Sequence, residues 1–165
     1  MLKKLAVKLF MVSVLVASAL PALAEVPNDR AALQGVKTGK GLFDINISEA
    51  GKLPLYLQVI KETHAALKAQ GVKPKLIVAF RGAAVQLVST TRQGLSGDQQ
   101  GALTKSDALI RELAGLGVKF EACAVAARLF GVDTASILPG IKVVGNTFVS
   151  LIGYQTKGYA LIPIQ

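Results

Sequence analysis

The chain is poor in the residues that make cross-linked or metal-bound scaffolds. It holds one cysteine, one histidine and no tryptophan in 165 residues, and aromatic side chains make up only 5%. A single cysteine excludes an intrachain disulfide framework. One cysteine and one histidine are also too few for a structural zinc site built on such ligands. Acidic residues are scarce, 10 against 19 Lys+Arg, which gives a formal charge of +9. What the chain has in quantity is apolar residues, 52% of the total and spread along its length. That excludes intrinsic disorder and allows one ordinary domain, or two very small ones, with a buried core.

The basic excess has a partly trivial origin. Met1 to Ala24 reads as a secretory signal peptide: Lys3, Lys4 and Lys8 form the positive end, and Leu9 to Leu20 is apolar apart from Ser13 and Ser18. Pro21 then precedes Ala22-Leu23-Ala24, the small-x-small pattern of a cleavage site. The apolar run falls short of the roughly 20 residues needed to span a bilayer. Cleavage near Ala24 is therefore expected, giving a periplasmic or otherwise exported protein without stable membrane insertion. Three of the 19 basic residues and no acidic ones leave with the segment, so 16 face 10 and the charge falls to +6. The remaining basic residues, Lys37, Lys40, Lys52 and Lys61 among them, are dispersed and not interleaved with aromatics. Nucleic acid is not an expected partner.

Glu25 to Gly41 reads as an N-terminal arm without clear periodicity, followed by one domain over residues 42–165. Leu42 to Ile47 alternates as a strand does. Leu53, Leu57, Ile60, His64 and Leu67 then form one helical stripe, with Pro54 in a first turn and Gly71 at the stop. Leu76 to Phe80 is a buried strand, and Ala83 to Val88 a short helix. Thr90 to Gly101 is a polar loop, and Thr104 to Asp107 caps the next helix. Val118 to Ala122 is a third strand, leading through Cys123 into a short helix over Ala124 to Phe130. Ile141 to Val144, a helix opened by Gly145-Asn146, and Tyr159 to Ile162 complete the chain. Strands alternating with helices predict an α/β fold, a three-layer α/β/α sandwich around a mainly parallel five-stranded sheet. Ligands of such sheets sit beyond the carboxyl ends of the strands, which selects Asn46, Arg81, Gly82, Cys123, Asn146 and Thr147.

Cys123 is the sharpest candidate. A cysteine where a strand ends and a helix starts meets unpaired N–H groups that favour the thiolate, its nucleophilic form. Its apolar neighbours Ala122, Ala124 and Val125 equally suit an inert packed residue. Arg81 could hold an anion, and Asn146 and Thr147 open a helix whose N–H groups suit one as well; a plain Asn cap explains the latter too. His64 lies mid-helix, on a stripe suited to packing, and is not expected to join the site. No Walker loop, GxSxG elbow or HExxH helix occurs. No cofactor and no metal are expected.

Three stretches carry a family resemblance: Val78-Ala79-Phe80-Arg81-Gly82, Gly117 through Cys123, and Leu138-Pro139-Gly140 through Gln155-Thr156-Lys157-Gly158-Tyr159-Ala160. In these the sequence resembles the DsrE/DsrF-like family of sulfur-relay proteins and their relatives. The resemblance implies a three-layer fold and self-assembly into dimers, trimers or hexamers. In members that relay sulfur, the cysteine matching Cys123 carries a persulfide, supplied by a donor and passed to an acceptor protein. Two readings follow: a sulfur carrier acting through Cys123, or a non-enzymatic homo-oligomer that binds a small ligand or partner, with Cys123 structural.

Overall fold

The computed structural model describes residues 27–165. The segment expected to be a signal peptide, Met1 to Ala24, lies outside them. In chain order the elements are α1 (Arg30–Leu33), β1 (Thr38–Ile45), α2 (Leu53–Ala69), β2 (Lys73–Phe80), a 3-10 stretch (Gly82–Val88), α3 (Gly97–Gly115), β3 (Lys119–Cys123), α4 (Ala124–Leu129), a 3-10 turn (Thr134–Ser136), β4 (Ile141–Val144), α5 (Thr147–Thr156) and β5 (Ala160–Ile164). The five strands form one sheet in the order β4-β3-β2-β1-β5. Every strand pair is parallel, with Phe43 opposite Val78 and Val78 opposite Phe120. The α/β fold expected from the alternating pattern is thus the observed one, and the sheet is wholly parallel.

The strand order explains the layers. From β1 to β4 each crossover moves the same way across the sheet, and right-handed crossovers put their helices on one face. The last crossover returns past β1 to place β5, so its helix lies on the other face. Leu53, Leu57 and Ile60 of α2 and Leu103, Ile110 and Leu113 of α3 accordingly pack on Phe43, Ile45, Val78, Phe80 and Phe120. Leu151 of α5 packs opposite, on Leu42, Ile77 and Ala79, with Tyr154 and Tyr159 beside it. Residues of one parity along β1 to β3 therefore face α5, and those of the other parity face α2 and α3.

Several boundaries differ from the sequence pattern, two of them for a visible physical reason. β1 begins at Thr38, so the last residues of the expected arm belong to the sheet. The alternation is hidden there by Gly39 and Gly41, which have no side chain to show it. Their bare backbone admits Leu67 and Leu76, each with a methyl 3.1 Å from where a Cβ would stand. The loop expected over Thr90 to Gly101 ends early, because α3 starts at Gly97. Its cap is a capping box: Ser96 Oγ accepts from Gln99 N–H, while Gln99 Oε1 accepts from Ser96 N–H. The first turn is polar and solvated, so no apolar period announces it. His64 is buried on α2, as the helical stripe predicts.

Candidate functional site

The carboxyl ends of β2 and β3 and the start of α5 enclose a cleft of about 180 Å³. Cys123 lines it together with Arg81, Gly82, Asn146 and Thr147. Five of the six residues selected from the sequence therefore meet here. The sixth, Asn46, is not among the lining residues. It follows β1, donates its N–H to the Ile164 carbonyl, and lays its side chain against Gly82. Gly82 has φ +54°, so the chain leaves β2 in a left-handed turn at a point where a Cβ would collide with Asn46.

Cys123 ends β3 and caps α4, with extended backbone. It is 5% exposed. Thr147, the first residue of α5, donates its N–H to Cys123 Sγ at 3.4 Å. Asn146 fixes that end of α5 by accepting from Phe148 N–H with its side-chain oxygen at 2.9 Å. Burial pushes the Cys123 thiol up, while the Thr147 hydroxyl and the N–H groups of Thr147, Ala126 and Val125 push it down. The net result lies below the ordinary thiol value. The Thr147 hydroxyl is close enough to act on the sulfur, yet it is buried and has no partner in good hydrogen-bond geometry. An anionic sulfur would give it the acceptor it lacks.

Arg81 enters the cleft with its charge already answered. Its Nε and Nη2 donate to the two carboxylate oxygens of Asp44 at 2.7 and 2.9 Å. Asp44 lies in β1 and is buried, and the Arg81 side chain is 19% exposed. The guanidinium also stands 5.6 Å from the centre of the Phe148 ring, on the first turn of α5. One arginine thus ties β1, β2 and α5 together around the sulfur. The rest of the wall is apolar: Val125, Ala126, Leu129, Phe130 and Phe148.

Asp44 and the apolar wall were not singled out from the sequence. The signal for Asp44 was an acid inside the apolar run Leu42-Phe43-Asp44-Ile45, since a carboxylate there has to find a buried cation. Phe148, Leu129 and Phe130 read as ordinary helix residues, but they are 58%, 68% and 41% exposed. No spacing rule distinguishes a helix residue that faces a neighbour from one at a cleft mouth.

A second buried carboxylate lies one pleat before the cysteine. Glu121 accepts from the Tyr154 hydroxyl at 2.6 Å, and its other oxygen, Oε2, is buried without a partner. No group of three or more His, Cys, Asp or Glu able to hold a metal ion occurs among the described residues. No helix among them is long and apolar enough to cross a membrane.

The family model for the DsrE/DsrF-like family matches residues 43–164. The chain belongs to the DsrE/DsrF-like family. Among solved structures it is similar to MTH1491 of Methanobacterium thermoautotrophicum, described as a protein of unknown function, with TM-score 0.61 and 21% identity over 76% of this chain and 99% of that one. It is also similar to the ychN protein from E. coli, with TM-score 0.51 and 15% identity over 77% of this chain and all of the other. At these identities the two likenesses concern the fold. No curated protein sequence matches the chain. The DsrE/DsrF-like core thus includes β2, β3 and α5, the elements that carry the cleft.

Proposed function

We propose that the protein is an exported sulfur carrier that holds sulfane sulfur as a persulfide on Cys123. The observation that carries this reading is the Thr147 N–H donated to the buried Cys123 sulfur, together with a buried Thr147 hydroxyl that has no hydrogen-bond partner of its own. Export rests on the pattern of residues 1–24. In the loading step the Cys123 thiolate attacks the outer sulfur of a persulfide R–S–SH. A new S–S bond forms at Cys123, the old one breaks, and R–S⁻ leaves with the bonding pair. In the unloading step an acceptor thiolate attacks the outer sulfur, and Cys123 thiolate is the leaving group. The same donors that favour the thiolate favour it as leaving group, so one arrangement serves both steps.

Intact mass spectrometry after incubation with an organic persulfide tests this. The wild-type protein is expected to gain the mass of one sulfur atom, and Cys123→Ser to gain none while keeping its circular dichroism spectrum. The rate of loading should reach half its maximum at a pH below that of an ordinary thiol, as the lowered thiol value requires. A wild-type chain that reacts with a small alkylating reagent at Cys123 yet never takes up sulfur sinks the proposal.

Self-association is the second part of the proposal. Leu129 and Phe130 at the end of α4 and Phe148, Val149 and Ile152 on α5 are all exposed apolar residues. That concentration beside one cleft suits a second copy of the chain better than it suits water. Sedimentation velocity at micromolar concentration is expected to show an oligomer that Ile152→Asp dissociates; a wild-type monomer rejects this part alone.

A further inference from the structure

We propose that Asp44 sets the charge class of sulfur donor that Cys123 accepts: by cancelling Arg81 inside the cleft, it makes the site take donors with at most one negative charge and turn away dianionic sulfur oxyanions. The inference rests on Cys123 being the sulfur acceptor.

Arg81 is the one charged side chain among the described residues that line the cleft, so an anion-binding role falls to it first. Its two hydrogen bonds to the buried Asp44 carboxylate remove that role. Two opposite unit charges in contact act as a dipole on a third group, and a dipole's field falls off faster than a charge's. The pair also uses Nε and Nη2, leaving Nη1 as the remaining guanidinium nitrogen. The Phe148 ring contributes no charge, and the other walls are apolar or, at Asn146 and Thr147, polar and uncharged. What stays positive is the partial charge of backbone N–H groups, those at the start of α5 and those of Val125 and Ala126, and the Cys123 sulfur already accepts from Thr147 N–H. Once the thiolate has formed, the cleft carries about one net negative charge.

The two donor classes meet that charge differently. A persulfide R–S–SH is neutral when its outer sulfur is attacked, and R–S⁻ departs with one charge. With thiosulfate the same thiolate attacks the outer sulfur, the S–S bond breaks, and sulfite leaves with the bonding pair and both charges. Charge is conserved in each case, but only the second brings a dianion to an anionic sulfur across apolar walls. Asp44→Asn removes the cancelling charge and exposes Arg81 to the incoming donor.

The test compares sulfur loading of Cys123 by thiosulfate and by the persulfide of an uncharged thiol, N-acetylcysteamine, followed by intact mass. Asp44→Asn is expected to raise the thiosulfate-to-persulfide rate ratio about tenfold over wild type. The double variant Asp44→Asn/Arg81→Gln, neutral again, is expected to return it. A merely structural role for Asp44 would change both rates together and leave the ratio alone; an unchanged ratio overturns the inference. If Asp44→Asn does not fold, the wild-type protein decides. Its thiosulfate loading should rise with ionic strength as repulsion is screened, while persulfide loading stays flat. Equal salt dependence overturns the inference. Failure of the wild type to load from either donor is a different result, and it removes the sulfur-acceptor reading itself.

Discussion

Arg81→Leu is expected to lower folding stability by about 3–5 kcal/mol, the cost of leaving a buried carboxylate without its cation. For a domain of this length that corresponds to a fall of roughly 10–15 °C in the unfolding midpoint. The figure follows from which partner is removed. Asp44 is the more deeply buried of the two, its side chain 6% exposed against 19% for Arg81. It sits in β1 between β2 and β5, and leucine supplies no donor in place of those lost. Losing the stack on Phe148 adds a smaller term. A double variant separates this cause from simple loss of packing: one as unstable as Arg81→Leu would assign the loss to packing alone. Asp44→Asn/Arg81→Gln should recover much of the stability at pH 7, since breaking such a pair costs more than replacing both members.

Tyr154→Phe is expected to cost about 1–3 kcal/mol, measured by urea unfolding at pH 7. The tyrosine hydroxyl is the hydrogen-bond donor to Glu121, whose second carboxylate oxygen is already buried without one. Removing it leaves the whole carboxyl group unanswered beneath α5. Tyr154 is pushed up to about 12, first by its hydrogen bond to Glu121, then by burial and by the Glu121 charge. The sign follows directly. The folded state holds the Tyr154 proton more tightly than the unfolded chain does, where the value is about 10. The stability from this bond is therefore fully present below about pH 10 and is lost as pH rises toward 12. Wild type and Tyr154→Phe should accordingly converge in stability over that interval. Absorbance at 295 nm should show one of the three tyrosines ionising late in the wild type, and the variant should lack that late step. A constant difference across that range would detach the stability from the Tyr154–Glu121 bond.

The site was legible in unequal parts. Cys123 could be found because a strand pattern, Val118 to Ala122, runs straight into a helix stopped by Gly131, and the cysteine stands at the join. Asn146 and Thr147 were found in the same way, by the start of a helix after a short apolar strand. Arg81 was found as the first charge after an apolar run. Its meaning was not, because the partner lies 37 residues earlier in the chain. A lone cation at a strand end reads as an anion holder, and the buried Asp44 turns it into half of a neutral pair. Thr147 illustrates the same limit. Its place at the head of α5 was plain, but a hydroxyl left without a partner exists only once the surrounding backbone has closed over it.

The local pattern of the chain determined the order of strands and helices, because apolar period and glycine position are read from neighbouring residues. Gly71, Gly131 and Gly158 take positive φ where the helices were expected to stop. It also determined which loops lie at the strand ends, since a parallel α/β order implies them. The tertiary structure decided the electrostatics. Parallel pairing aligns Asp44 with Ala79 and Phe80 with Ala122, and so brings the ends of three strands together beneath one helix. Charge cancellation, burial and unanswered donors depend on distances between residues far apart in the chain. Local pattern carries no such distances, and only the folded sheet supplies them.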